Sequence, residues 1–205
     1  MSGPSHGHDH DPRSPELRAE ALELLLRERG WVTEEAVDRL VRRYEEDIGP
    51  MRGSSVVARA WSDSDFKRRL LEDGNAAIAE LGFEGPQAEH LVVKENGNGV
   101  HNVVVCTLCS CYPWAVLGLP PTWYKEPAYR SRIVREPRKV LEELGLTLPE
   151  STEVFVWDST AEVRYMVLPE RPEATADLSE AELAALVTRD AMIGVAVVQQ
   201  PAEAA

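Results

Sequence analysis

The stretch His101-Asn102-Val103-Val104-Val105-Cys106-Thr107-Leu108-Cys109-Ser110-Cys111 sets the reading of the whole chain. An apolar β-run over residues 101–105 delivers the backbone straight into three cysteines that lie within six residues. That places the cluster on a loop at the end of a buried strand, where a rigid scaffold can present reactive groups. Three is an odd count, and the cluster is too tight for disulfides that staple distant segments, so these cysteines are read as metal ligands.

Working outward, Asn96-Gly97-Asn98-Gly99 is a turn signal, and residues 90–94 read as a strand before it. Gly82, Gly85 and Pro86 break the chain upstream, and a helix is expected over residues 63–73, closed by Gly74. Downstream, Glu136-Pro137 opens a helix that Gly145 closes, and residues 153–157 and 163–168 read as two strands about a short turn. Ser179 and Glu182 form a capping box for a last helix.

Ser14-Pro15 starts a helix with proline at its first position, and Thr33 with Glu34 and Glu35 starts a second that runs towards Ile48. Their apolar stripes (Leu17, Leu24, Val37, Leu40, Val41, Tyr44) need a cover, in this chain or in a partner. The expected organisation is a disordered tail over 1–14, a helical arm over 15–50, a metal-binding catalytic domain over 51–195 and a tail over 196–205. The fold class is α+β, with helices and sheets of the domain layered α-β-β-α. His6, His8 and His10 alternate in the first tail, where a mobile segment lacks the surroundings that fix imidazoles on a metal.

Lys plus Arg number 22 against 35 Asp plus Glu, a net charge of −13 that repels nucleic acid. No apolar run approaches bilayer length and no secretion signal is evident, so a soluble cytoplasmic protein without membrane or nucleic-acid partners is expected.

The cysteine spacing can be read as coordination chemistry. If Cys109 and Cys111 bind through sulfur, the amide nitrogens of Ser110 and Cys111 fall between them, closing adjacent six-, five- and five-membered rings in a roughly planar N2S2 set. Cys106 can then approach as an axial thiolate, leaving one of six positions open, the mark of a catalytic metal. Deprotonated amides suit Co(III) or Fe(III). A tetrahedral zinc site of three thiolates and His90 or His101, as in a non-enzymatic binding module, stays open on spacing alone, and so does a redox pair at Cys106 and Cys109.

Residues 105–114 and 117–125 closely resemble the alpha subunit of nitrile hydratase. The likeness continues through residues 129–132, 135–140, 164–172 and 189–194, and so covers nearly the whole chain. The resemblance implies nitrile hydration to amides, with sulfur ligands from Cys106, Cys109 and Cys111 and amide ligands from Ser110 and Cys111. It implies Cys109 as sulfinate and Cys111 as sulfenate, the latter a catalytic base or nucleophile. It implies one non-corrin Co(III), since Thr107 matches the cobalt type, with Fe(III) as the alternative.

Gln87 resembles an active-site glutamine; Trp114, Trp123 and Tyr124 are candidates to line the substrate pocket; Asp158, Glu162 and Arg164 resemble residues that hold the loop. Each has a plainer reading, as a polar loop residue, core aromatics and a charged hairpin surface. Implied partners are a nitrile hydratase beta subunit in an α2β2 assembly, an activator or metallochaperone during maturation, and a small-molecule nitrile. The metal-bearing subunit of thiocyanate hydrolase shares the Cys-Thr-Leu-Cys-Ser-Cys loop and is the nearest alternative.

Overall fold

The computed structural model describes residues 14–83 and 90–199. The chain divides into two units, one up to Arg43 and one from Tyr44 onward.

The first unit consists of α1 (Pro15–Glu28) and α2 (Glu34–Arg42). Ser14 Oγ accepts from Leu17 N at 3.3 Å and Thr33 Oγ1 from Ala36 N at 3.2 Å, each satisfying an otherwise orphaned amide of a first turn. Glu34 and Glu35 open α2 and Arg39 and Arg42 end it, the order that complements the helix dipole. Of the stripes read from sequence, Leu24, Leu40 and Val41 are exposed, whereas Leu17 and Val37 are half-buried and Tyr44 is buried.

A π-helical turn, Arg43–Ile48, begins at the last residue of the first unit, and the second continues through α3 (Met51–Ser62), α4 (Ser64–Glu72) and α5 (Gly74–Glu80). Asp63 caps α4 through Phe66 N at 3.0 Å, and Asp73 caps α5 through Ala76 N at 3.0 Å. Gly74 therefore starts a helix here instead of closing one, because the aspartate before it supplies an N-cap. The strands follow as β1 (His90–Glu95) and β2 (Val100–Val105), with four short helices after them: α6 (Trp114–Leu117), α7 (Thr122–Lys125), α8 (Pro127–Arg132) and α9 (Pro137–Glu143). Then come β3 (Glu153–Asp158), β4 (Val163–Leu168), α10 (Glu180–Leu186) and α11 (Arg189–Ile193). The capping box of Ser179 and Glu182 is present at α10.

Both expected turns form, yet neither joins paired neighbours. β1 pairs in parallel with β4, and β2 in parallel with β3, so each turn is an arch carrying the chain from one two-stranded sheet to the other. The hairpin imagined for Asp158 to Arg164 is thus two strands in different sheets. Burial explains the choice: β2 is buried at every position from His101 to Val105, and parallel strands covered on both faces read as such continuous apolar runs. Val56, Phe66, Leu70, Val103, Leu141 and Met166 belong to one apolar core that the helices close over the sheets. The architecture is the α+β layering expected of the domain.

At the start of β2 a polar network is sealed into this core. His101 Nε2 stands 2.7 Å from the carbonyl oxygen of Gly194, and its Nδ1 stands 3.2 Å from Asn96 Nδ2. Asn96 Oδ1 accepts from Asn102 N at 2.7 Å, and Trp157 Nε1 donates to Asn102 Oδ1 at 2.8 Å. Gly194, at φ 91°, is required because a Cβ there would meet Asn102 O at 2.0 Å.

Candidate metal centre

The loop leaves the opposite end of β2. Val105 lies opposite Asp158 in the parallel register, and Ser159 N donates to Val105 O at 2.7 Å, which extends the pairing one step beyond the strands. This register aims the Asp158 carboxylate at the first loop residue. Thr107 N donates to Asp158 Oδ1 at 2.9 Å, and Thr107 Oγ1 to Oδ2 at 2.6 Å. Both carboxylate oxygens are spent on one residue, a two-point clamp on the backbone next to Cys106.

The rest of the loop is held by its carbonyls. Arg130 Nη1 donates to Cys109 O at 3.0 Å from α8, and Tyr124 OH donates to Cys111 O at 2.9 Å from α7. Tyr129 OH donates to Val104 O at 2.7 Å at the base of the loop. With amides and carbonyls tied from outside, the side chains of Cys106, Cys109 and Cys111 turn towards one another.

Their sulfurs all lie within 4.8 Å of one another. Cys106 Sγ is 3.4 Å from Cys109 Sγ, and Cys109 Sγ is 3.2 Å from Cys111 Sγ, too far for a disulfide bond. With metal–sulfur bonds of about 2.3 Å, neighbouring thiolates stand about 3.8 Å apart at a tetrahedral centre and about 3.3 Å apart at right angles. The separations of 3.4 and 3.2 Å lie nearer the right-angle value than the tetrahedral one. A tetrahedral zinc site also lacks its fourth ligand: the cluster contains no histidine among the described residues, and His101 is committed to Asn96 and Gly194 at the far end of β2. Three soft sulfurs converging at these distances can coordinate a metal ion.

The thiols are already poised against one another. The hydrogen bond from Cys111 is the main reason the Cys109 thiol is held down at about 7. Burial first, and that same hydrogen bond second, push Cys111 up to about 12, although the charge of Arg164 pulls it the other way. One thiolate is therefore accessible near neutral pH, and a cation is needed to draw off the remaining protons. Cys106 is 1% exposed whereas Cys109 is exposed, so the loop presents its second cysteine to the outside and keeps its first beneath.

The other candidates fall in several places. Tyr124 is fully buried and Trp123 packs edge-on against it and Tyr129, at centroid distances of 6.0 and 5.0 Å. Trp114 stacks edge-on against Tyr44 at 5.3 Å. A cavity that touches the loop, about 330 Å³, is lined by Thr107, Pro127, Arg130, Ser131 and Val134. Arg164 sits buried on β4 and donates to Thr160 O, while Glu162 is exposed at the arch and its carbonyl accepts from His90 N at 3.0 Å. Gln87 lies outside the described residues. Of the nearby arginines, Arg132 is bound to Glu136 and Glu143, and Arg135 donates to Ser131 O, leaving Arg130 as the one of these three that the structure joins to the loop. Tyr129 was not foreseen as a loop anchor: its partner is a backbone oxygen, and no sequence spacing reveals that.

Comparisons with known proteins identify the family. The family model for the nitrile hydratase alpha chain matches residues 13–196. A nitrile hydratase alpha subunit from a Rhodococcus species is 59% identical over 90% of this chain and 94% of that one. The alpha subunit of the cobalt-containing nitrile hydratase of Pseudonocardia thermophila is 55% identical over 91% and 90%. More distantly, the gamma subunit of thiocyanate hydrolase from Thiobacillus thioparus is 41% identical over 87% and 79%. Among solved structures, a double mutant of the Fe-type nitrile hydratase from Comamonas testosteroni Ni1 superposes with a TM-score of 0.86 at 47% identity, covering 93% of this chain and 95% of that one.

Proposed function

The chain belongs to the nitrile hydratase alpha-chain family and shares its function, metal-dependent hydration of nitriles, and on that premise we propose that it works as the metal-bearing subunit of a cobalt enzyme. The observation that carries the proposal is the trio of sulfurs converging within 4.8 Å of one another beside a threonine clamped on Asp158. Thr107 and the cobalt-containing relatives favour cobalt, with iron as the alternative because the Fe-type enzyme shares the fold.

Cys106, Cys109 and Cys111 would hold the ion by sulfur, and Ser110 and Cys111 by amide nitrogen. The bound trivalent ion would supply Lewis acidity that polarises a nitrile or activates water. Every other contribution comes from the chain. The Cys111 sulfenate oxygen takes the proton of the attacking water, or it attacks the nitrile carbon itself, the C≡N π electrons passing to a nitrogen that picks up a proton, and water then cleaves the S–O–C link to release the amide and restore the sulfenate; the Cys109 sulfinate would bind as a further sulfur ligand. Gln87 hydrogen-bonds substrate or water, and Trp114 and Trp123 supply apolar surface towards the substrate, while Tyr124 holds the Cys111 carbonyl. Asp158 and Arg130 keep the loop from relaxing when its thiols are oxidised. Glu162 and Arg164 are placed at and beside the arch that carries Asp158.

A beta-type subunit completes the site in an α2β2 assembly, and an activator or metallochaperone protein loads the metal. We place the enzyme in the cytoplasm, where a reducing milieu keeps Cys106, Cys109 and Cys111 free of random disulfides; no helix is long and apolar enough to cross a membrane.

The test is elemental analysis of purified protein together with hydration assays on simple nitriles and on thiocyanate. Cobalt with amide formation is expected. Zinc on unmodified cysteines would remove the reading, and turnover of thiocyanate in preference to nitriles would move the chain to the thiocyanate hydrolase branch.

A further inference from the structure

Two Asn-Gly pairs, Asn96-Gly97 and Asn98-Gly99, stand side by side in the arch between β1 and β2. An asparagine before glycine is exposed to attack on its side-chain amide by the next backbone nitrogen, since glycine has no Cβ to shield that nitrogen. The structure treats the two pairs in opposite ways. Asn96 is 7% exposed, and its Oδ1 accepts from Asn102 N at 2.7 Å and from Asn102 Nδ2 at 3.0 Å. Its Nδ2 faces His101 Nδ1 at 3.2 Å, and the attacking nitrogen, Gly97 N, donates to Val100 O at 3.1 Å. Rotation of Asn96 Cγ onto that nitrogen would break the whole buried network. Asn98 is exposed with φ at 53°, and among the described residues no hydrogen bond holds its side chain or the Gly99 N–H.

We propose that Asn98 is a site of spontaneous deamidation and that the fold protects Asn96 from the same reaction. Gly99 N attacks Asn98 Cγ and gives its proton to solvent base; the Cγ–Nδ2 bond breaks and ammonia leaves, closing a five-membered succinimide. Water then opens the ring, at Cγ to give aspartate or at the main-chain carbonyl to give isoaspartate. No oxidant or reductant is involved, and water is the sole co-reactant. The product adds one negative charge at the arch and, in the isoaspartate form, one backbone methylene at the tip between β1 and β2.

The test is to incubate the assembled, metal-loaded protein in mildly alkaline buffer and follow both pairs by peptide mapping. The peptide is expected to gain about 1 Da at residue 98, as separable aspartate and isoaspartate forms, with equimolar ammonia released. Position 96 is expected to react about tenfold or more slowly, because its reaction waits on local opening of the network. In denaturant the two pairs should react at similar rates. The Asn98→Gln variant, whose longer side chain does not close the five-membered ring, should show no gain at residue 98, with a slightly lowered thermal midpoint because glutamine tolerates the left-handed backbone at φ 53° less well than asparagine. Equal rates in the folded protein, faster loss at Asn96, no reaction at Asn98, or a rate difference that persists in denaturant would each overturn the proposal.

Discussion

β2 ends in two polar assemblies of opposite character. At its start, Asn96, His101 and Asn102 satisfy one another and the Gly194 carbonyl within the core. At its finish, Cys106, Cys109 and Cys111 face one another while Asp158 accepts from Thr107 and Arg130 and Tyr124 donate to the loop carbonyls. The first is closed: its donors and acceptors match, so it specifies structure. The second is fixed at its backbone and open at its sulfurs, which is what a metal centre demands, since rigid support is useful only if the ligand atoms stay available. One strand thus couples a finished network to an unfinished one.

The largest expected effect breaks the open end outright. Replacing Cys106, Cys109 or Cys111 singly with serine should abolish retention of a trivalent metal, read by elemental analysis after dialysis, because each change removes a soft anionic donor. Retention of stoichiometric metal by any one of the three variants would show that the centre does not use that sulfur.

The next effect concerns what finishes the open end. Cysteine oxidised to sulfinate and sulfenate leaves anions that need cationic donors in a water-poor site. Arg130 is engaged with the Cys109 carbonyl, Arg132 with two glutamates, Arg135 with Ser131 O, and Arg164, whose charge reaches Cys111, with Thr160 O. The chain expressed alone with cobalt should therefore lose nearly all nitrile hydration, and co-expression with a beta-type subunit should restore it. Full activity of the isolated chain would contradict this. Intact mass of the active assembly sharpens the point, since the alpha chain should exceed its sequence mass by about 48 Da, three oxygens.

A smaller effect separates backbone support from ligation. Asp158→Asn keeps one acceptor for Thr107 and loses the other, which should cost about 0.5–1.5 kcal/mol at this exposed site and loosen metal retention without abolishing it. Thermal unfolding together with metal content reads this. An unchanged metal off-rate would reduce the clamp to a structural detail.

The smallest effect probes the closed end. Burial lowers the His101 pKa below its ordinary 6.5, despite the hydrogen bond to Gly194 O. The neutral ring therefore contributes its full stability above about pH 6.5, and that contribution is lost as pH falls through the lower, folded value. Below 6.5 the unfolded chain gains the proton first, and a second N–H on the ring would confront the Asn96 amide, whose oxygen is already held by Asn102. Urea unfolding across this window should show a falling midpoint in the native chain and a flatter profile in His101→Gln. Identical slopes would place the acid sensitivity elsewhere.

Much of this was legible along the chain because it depends on near neighbours. Capping at Ser14, Thr33 and Ser179 involves residues three apart, the apolar run of 101–105 announces a buried strand, and the chelate rings of 109–111 follow from bond counting. The short helices α6 to α8 were not read, since four- to six-residue turns carry too little periodicity to stand out from loops. Helix α3 escaped as well: Met51–Ser62 mixes Gly53, Ser54 and Ser55 into its first turns, and these become favourable only when packed, with a Cβ at Gly53 falling 2.6 Å from Leu117.

By itself, then, the sequence determined where a metal could bind: three thiols within six residues, at the end of a strand too apolar to lie anywhere but inside. Tertiary structure alone decided which strands pair. Asn96 to Gly99 and the segment after Asp158 turn the chain locally in either a hairpin or an arch, and only burial of β2 on both faces selects the parallel partner β3. That choice sets Val105 opposite Asp158, and so brings a carboxylate 51 residues away onto Thr107.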